Sequence, residues 1–360
     1  MRHSQGTGSG PRPGQVHRSA ARVTASRLVA GRPLRPGRSI GWQCEAGVAD
    51  LGLVAWAEEY RDLLSQLLRA HGAVLLRGFS LDVPEDFERV IRSTSGSAPL
   101  RYEYGSTPRQ RITGAVYTAT EYPASQAIPM HNEMSYTTTW PMRLWFWCRK
   151  PAASGGRTPL ADSRRVLARI APDIRSQFVR HGVRYVRNYG AGLDLDWRQV
   201  FETGERERVE AYCRDAGIVF SWGAGGRLRT EQRCQAIATH PDSGESVWFN
   251  QAHLFHVSGL QPHVRSALME AVDAESSLPR DARYGNGAAI PDAVLDAVRD
   301  AYAAERLFFE WQAGDVLVVD NMMVAHGREP YTGEREVLVG MSEPCRAAGR
   351  SAALRPGAGP

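Results

Sequence analysis

Two histidines and one acid stand out by type and spacing. His131 and Glu133 sit two apart in "IPMHNEMSY", a segment that reads as extended over 130–136. Residues i and i+2 of a strand point to the same face, so an imidazole and a carboxylate would lie side by side. His326 lies far along the chain, just after "GDVLVVDNMMVA", a strand-like run with turn residues at both ends. A third ligand from such a distant strand would complete a facial set on an octahedral metal. Three positions stay open in that set, as in non-haem Fe(II) oxygenases. Imidazole and carboxylate suit ferrous iron, and the open face must hold a cosubstrate and dioxygen together. Two histidines and a glutamate also suit catalytic zinc with an activated water. Alone, the His131/Glu133 pair is weak, because such spacing arises by chance and a lone histidine is more often a hydrogen-bonded core or surface residue. Arg335, nine residues past His326, offers a bidentate fork for a carboxylate near such a metal. Taken by itself it also reads as a surface arginine after the turn "TGE".

The elements that must position these residues alternate irregularly. "WAEEYRDLLSQLLRAHG" (56–72) has helical spacing and a C-capping Gly72, and "AVLLRGF" (73–79) reads as a buried strand. A helix follows over 84–96, opened by a proline. "RLWFWCRK" (143–150) is apolar and aromatic, a core run. Helical patterns recur over 162–182, broken near Pro172, and over 206–217 and 291–305. Strands are expected at 183–190, on both sides of "PDSG" within 236–250, and in the final runs "LFFEW", "GDVLVVDN" and "REVLVGMSEP". There is no internal repeat. Many short strands with a few outer helices suggest one β-rich domain, a jelly-roll or barrel, and not a doubly wound sheet.

Composition sets outer bounds. A chain of 360 residues, 42% hydrophobic, can bury a large core. It has no apolar run long enough to span a membrane and no secretory apolar block near its start, so a cytoplasmic protein is expected. Five cysteines without CxxC spacing suit reduced thiols. The net charge is +5, but residues 1–44 hold eight arginines and no acid, leaving about −3 on the remainder. The basic character belongs to the leading segment. Rich in Gly, Pro, Ser and Arg but without interleaved aromatics, residues 1–38 read as a disordered extension and not as a nucleic-acid-binding arm. The expected division is therefore 1–38 extension, 39–348 folded domain and 349–360 flexible tail. Lys150 is the single lysine against 43 arginines, a skew typical of GC-rich coding.

Four blocks in order, "VYTATEYPASQAIPMHNEMSY", "PAASGGRTPLADSRRVL", "HPDSGESVWFNQAHLF" and "WQAGDVLVVDNMMVAHGREPYTGEREVLVGM", carry a resemblance. Over roughly residues 45–345 the chain resembles the TauD/TfdA family of Fe(II)/2-oxoglutarate-dependent dioxygenases. It is most similar to the branch of the syringomycin-pathway amino-acid hydroxylase. The resemblance implies a mainly β fold with flanking helices, a double-stranded β-helix (jelly-roll, cupin-like) cupping the iron. It implies His131, Glu133 and His326 as ligands, with 2-oxoglutarate chelating the metal and O2 as oxidant. The distal carboxylate of 2-oxoglutarate would meet Arg335 and Thr158, the latter in "GGRTPL", after a Gly155-Gly156 pair suited to a tight turn. Thr158 on its own is an ordinary strand former. Much of the wider family has Asp where Glu133 stands, but this branch and the clavaminate-synthase relatives use Glu. Glu336 follows Arg335 where the branch often has a second basic residue, which makes Arg328 the alternative carboxylate contact. A halogenase of this kind would lack the carboxylate to admit chloride, so Glu133 argues for hydroxylation, with desaturation, epoxidation or cyclisation open.

Substrate contacts are less legible. Tyr104 and Arg109 in "YEYGSTPRQR" would line a lid, Arg143 would meet a substrate carboxylate or pair on the surface, and Asn250, His253 and His256 would face the pocket or pack on the sheet. The implied partner is a small amino-acid-like substrate, free, peptide-linked or held on a carrier protein, with no membrane and no nucleic acid; oligomeric state stays open. The rivals are a zinc hydrolase, which leaves Arg335 and Thr158 without a role, and a cupin-like binding protein without turnover.

Overall fold

The computed structural model describes residues 28–347 except 103, 108, 191 and 273; residues 1–27 and 348–360, and the parts of the expected extension and tail that fall there, lie outside the described residues. An eight-stranded sheet dominates, in the spatial order Val29–Pro33, Trp42–Ala46, Ala73–Arg77, Val316–Asp320, Thr139–Lys150, Glu336–Arg346, Val116–Thr118 and Arg111–Thr113. Its long central strands run antiparallel, with Val339 opposite Phe146 and Met341 opposite Leu144. One neighbouring pair, Trp42–Ala46 with Ala73–Arg77, is parallel. A parallel pair needs a crossover, which the helices Leu53–Glu59 and Arg61–His71 provide. A three-stranded sheet, Ile128–His131, Val324–Arg328 and Leu160–Asp162, forms the second wall. Two mainly antiparallel sheets facing each other make the jelly roll that the family resemblance implies.

Period-2 alternation explains the continuous apolar runs. Leu144, Phe146 and Cys148 enter the core between the sheets with Leu160, Met323 and Val324. Trp145 and Trp147 point the other way, against Trp56, Leu64, Phe87 and Ile91 of the covering helices. Two strands of the small sheet are buried throughout, and Met130, Ala161 and Ala325 pack into a third cluster, which extends to Tyr185 and Tyr189 of a four-stranded sheet. The five cysteines are all free.

The structure differs from the sequence reading in four places. Order begins before residue 39, because Val29–Pro33 pairs in full register with Trp42–Ala46. The backbone ladder makes that edge strand, and Gly31 lets it lie against Trp42, whose Nε1 would be 2.8 Å from a Cβ there. The helix over 56–72 is two helices meeting at Tyr60, although Gly72 caps the second in the left-handed region (φ 67°). "LFFEW" forms no strand, only a bridge between Leu307 and Leu160, and the rings of Phe309 and Trp311 fill core space. Finally, the strand bearing His131 ends there, and Glu133 lies in the following turn.

Candidate metal centre

His131 closes the strand Ile128–His131, and His326 sits directly opposite it on Val324–Arg328. Their ring centroids are 4.6 Å apart, and Phe146 lies 5.1 Å from His326 on the core side. The His131 Nδ1–H donates to the Pro129 carbonyl at 2.8 Å, which leaves Nε2 as the free lone pair. Glu133 reaches the same point from a turn, not from the strand face. That turn is held by Asn321, which accepts from the Glu133 N–H at 2.7 Å and donates to the carbonyls of Glu133 (2.9 Å) and Pro141 (2.8 Å). Asn132 completes the clamp by donating to the Asn321 carbonyl at 2.6 Å and to Ser163 Oγ at 3.0 Å. Met134 takes the strained left-handed conformation the turn demands (φ 55°).

The potential ligand atoms of His131, Glu133 and His326 all lie within 4.8 Å of one another. Burial pushes both imidazoles below their usual pKa, and a proton on His131 would push His326 lower still. Both are thus neutral with lone pairs available, the form a metal ligand requires. His326 Nδ1 is buried without a hydrogen-bond partner. An orphaned polar atom of this kind costs about 1–3 kcal/mol. Two neutral imidazoles and one carboxylate, convergent and partly unsatisfied, fit a divalent metal.

Beside them is a narrow cavity of about 40 Å³ whose lining includes His131, His326, Phe146, Thr158 and Arg335. Arg335 precedes the long strand Glu336–Arg346 and packs its guanidinium on the Tyr331 ring, 5.7 Å away. Burial and the neighbouring Arg328 bring its pKa down to about 10, and no carboxylate among the described residues offsets this. Such a cation wants an anion. Thr158 is buried, and its Oγ1 accepts from Trp311 Nε1 at 3.0 Å. Gly155 and Gly156, both in the left-handed region, make the tight turn expected; a Cβ on Gly155 would fall 2.3 Å from the Pro330 carbonyl, and one on Gly156 3.2 Å from Arg335 Cδ. Arg328 is otherwise engaged, donating to the carbonyls of Tyr122, Pro123 and Gln126 at 3.0, 2.7 and 2.8 Å. It ties down a loop, although it lines the same narrow cavity and its Nε has no partner.

A larger cavity, about 520 Å³, opens on the other side of His131 and Glu133. Of the expected substrate residues, His256 lines it, but four others lie elsewhere. Tyr104 packs among Tyr136, Phe201 and Tyr212. Arg143 pairs with Glu343 at 2.9 Å and donates to the Thr94 carbonyl. Asn250 bridges the Ala236 carbonyl and the Ala252 N–H. His253 donates from Nε2 to the Met130 carbonyl at 2.9 Å, and burial holds its pKa near 3. Each fills a structural demand that residue type alone does not reveal. Arg109 does reach the centre, but its Nη2 lies 2.6 Å from Glu133 Oε2 and its guanidinium sits 4.3 Å over the Tyr102 ring. Sequence reasoning missed Asn321, Trp311, Asp194 and Arg280. Asn321 was legible only as a turn residue, and the acid–base pair at 194 and 280 left no signal at all.

A jelly roll with this convergent donor set fits one class, the mononuclear metal oxygenases of the cupin type. The TauD/TfdA family, described as taurine catabolism dioxygenases, matches residues 30–342, and the chain belongs to it. Its members are Fe(II)/2-oxoglutarate-dependent oxygenases. The chain is 40% identical over 281 residues to the dapdiamide synthesis protein DdaC of Enterobacter agglomerans, covering 78% of this chain and 85% of that one. It is 31% identical over 289 residues to a clavaminate synthase-like protein of Arabidopsis thaliana, covering 77% and 83%. The PvcB protein of Pseudomonas aeruginosa shares the fold with a TM-score of 0.52 at 16% identity, over 87% of this chain and 91% of that one. Among the described residues no helix is long and apolar enough to cross a membrane.

Proposed function

We propose that His131, Glu133 and His326 hold Fe(II), that Arg335 and Thr158 hold the distal carboxylate of 2-oxoglutarate in the narrow cavity, and that an amino-acid-derived substrate occupies the larger one. The observation that carries this is the convergence of the three donor side chains within 4.8 Å. With dioxygen, the bound metal and 2-oxoglutarate supply the oxidising power, giving succinate and CO2 while a substrate C–H is oxidised. The protein's own residues do the positioning. The Pro129 carbonyl fixes the His131 tautomer, Asn321 fixes the turn under Glu133, and Arg109 grips the remaining carboxylate oxygen. Hydroxylation is the favoured outcome, since Glu133 fills the position a halide would need. The likeness to a dapdiamide synthesis protein supports a place in amino-acid-derived product formation. A zinc hydrolase would leave the uncompensated Arg335 unused.

The test is anaerobic. Fe(II) and 2-oxoglutarate are added to metal-free protein and the weak visible charge-transfer band of the chelate is sought. Its absence would overturn the reading. Succinate release is then measured across an amino-acid panel, presented free and as carrier-protein thioesters, to identify the form accepted.

A further inference from the structure

The larger cavity has an apolar wall that nothing in the fold accounts for. A surface helix ordinarily buries its apolar stripe against the body of the protein. The helix Pro262–Ala271 has no buried residue at all. Val264 and Leu268, one turn apart on the same face, instead line the cavity. Large hydrophobic side chains exposed elsewhere are scattered. Of the eleven among the described residues, four (Tyr122, Leu193, Leu260 and Val264) line this one cavity. Leu193 and Val264 are 45% and 41% exposed.

Apart from Glu121, which is exposed, the carboxylates and the arginine lining this cavity are already paired. Arg280 spends two donors on Asp194 and also donates to the Ser106 carbonyl, so the pair is self-compensated. Glu133, also in the lining, is paired with Arg109. A ligand there gains more from apolar contact than from a new ion pair. A volume of about 520 Å³ also exceeds the need of a single small amino acid and falls in the range of drug-sized ligands.

We infer that the substrate is an amino-acid unit joined to an acyl chain, which lies against Val264, Leu268, Leu260 and Leu193. This rests on the oxygenase reading above and names the kind of substrate it accepts.

The test uses the full chain loaded anaerobically with Fe(II) and 2-oxoglutarate, titrated calorimetrically with N-acetyl-, N-butanoyl-, N-hexanoyl- and N-octanoyl-L-alanine. Affinity should rise about three- to fourfold per methylene until the wall is covered. The Val264→Asp/Leu268→Asp double variant should keep the charge-transfer band and its 2-oxoglutarate dependence but lose the chain-length dependence. Val264→Ser alone, milder for folding, should flatten it in part. A flat series with the band present overturns this inference and leaves the oxygenase reading standing. A missing band overturns both. A wild-type dimer that the double variant breaks into monomers, again with a flat series, would show that a second copy covers the helix and would also overturn it.

Discussion

His326 and Arg335 make different demands on the chemistry, and their substitutions separate accordingly. His326 is a neutral imidazole with an orphaned Nδ1, opposite His131 at a ring separation of 4.6 Å. His326→Ala or His131→Ala leaves two donors, and both metal binding and succinate release should be lost. Loss of the thermal shift on adding Mn(II) checks the metal step without reference to turnover. Arg335 is a half-buried cation with no acid to meet it among the described residues, its pKa lowered to about 10. A desolvated, charge-assisted contact of this kind is worth ~1.5–3 kcal/mol, so Arg335→Ala should raise the 2-oxoglutarate requirement about tenfold or more. The charge-transfer band titrated with 2-oxoglutarate measures that directly. An unchanged midpoint would remove Arg335 from the site.

The turn and the short helices around the candidate centre hold its donor side chains in place. His253, on the four-residue helix Ala252–Phe255, donates to the Met130 carbonyl and so holds the end of the strand that presents His131. Burial keeps it neutral, with its pKa near 3. Unfolding lets it take a proton below about pH 6.5, so its contribution to stability is intact above that pH and is lost as pH falls toward 3. The slope reaches at most ~1.4 kcal/mol per pH unit. His253→Gln keeps the donor but cannot titrate. In metal-free protein its melting temperature should therefore fall less steeply than wild type between pH 6.5 and 5; parallel curves would refute the linkage. This element also shows what sequence could and could not yield. The His131/Glu133 spacing was legible because type and separation are local. The reason read from it was not the one the fold uses: Glu133 comes round through a turn pinned by Asn321, nearly two hundred residues away. Asn250 and His253 looked like pocket residues because their polarity is visible and their backbone partners are not. The cavity wall, drawn from residues near 193, 260 and 280, has no pattern that a linear reading can find.

At the scale of the molecule, the folded body already includes residues ahead of 39. The family match begins at residue 30, and the strand Val29–Pro33 is already part of the main sheet. Just beyond it, Arg38 donates to Glu305 at 3.1 Å, a buried carboxylate it shares with Arg165 and Arg169. Two truncations should therefore behave differently. Removing residues 1–27 takes away five arginines and none of these contacts, so the melting temperature, the charge-transfer band and succinate release should match the full chain. Such a result would also dispose of nucleic-acid binding through this segment as the main activity. Removing residues 1–38 strips the edge strand, uncovers Trp42 and leaves Glu305 short of one partner. A five-residue ladder at ~0.5–1.5 kcal/mol per hydrogen bond makes a loss of at least ~2 kcal/mol the expected cost. Urea unfolding of the two truncations side by side reads the difference. Equal midpoints would mean that the strand adds nothing to the sheet and that the domain does begin near residue 39.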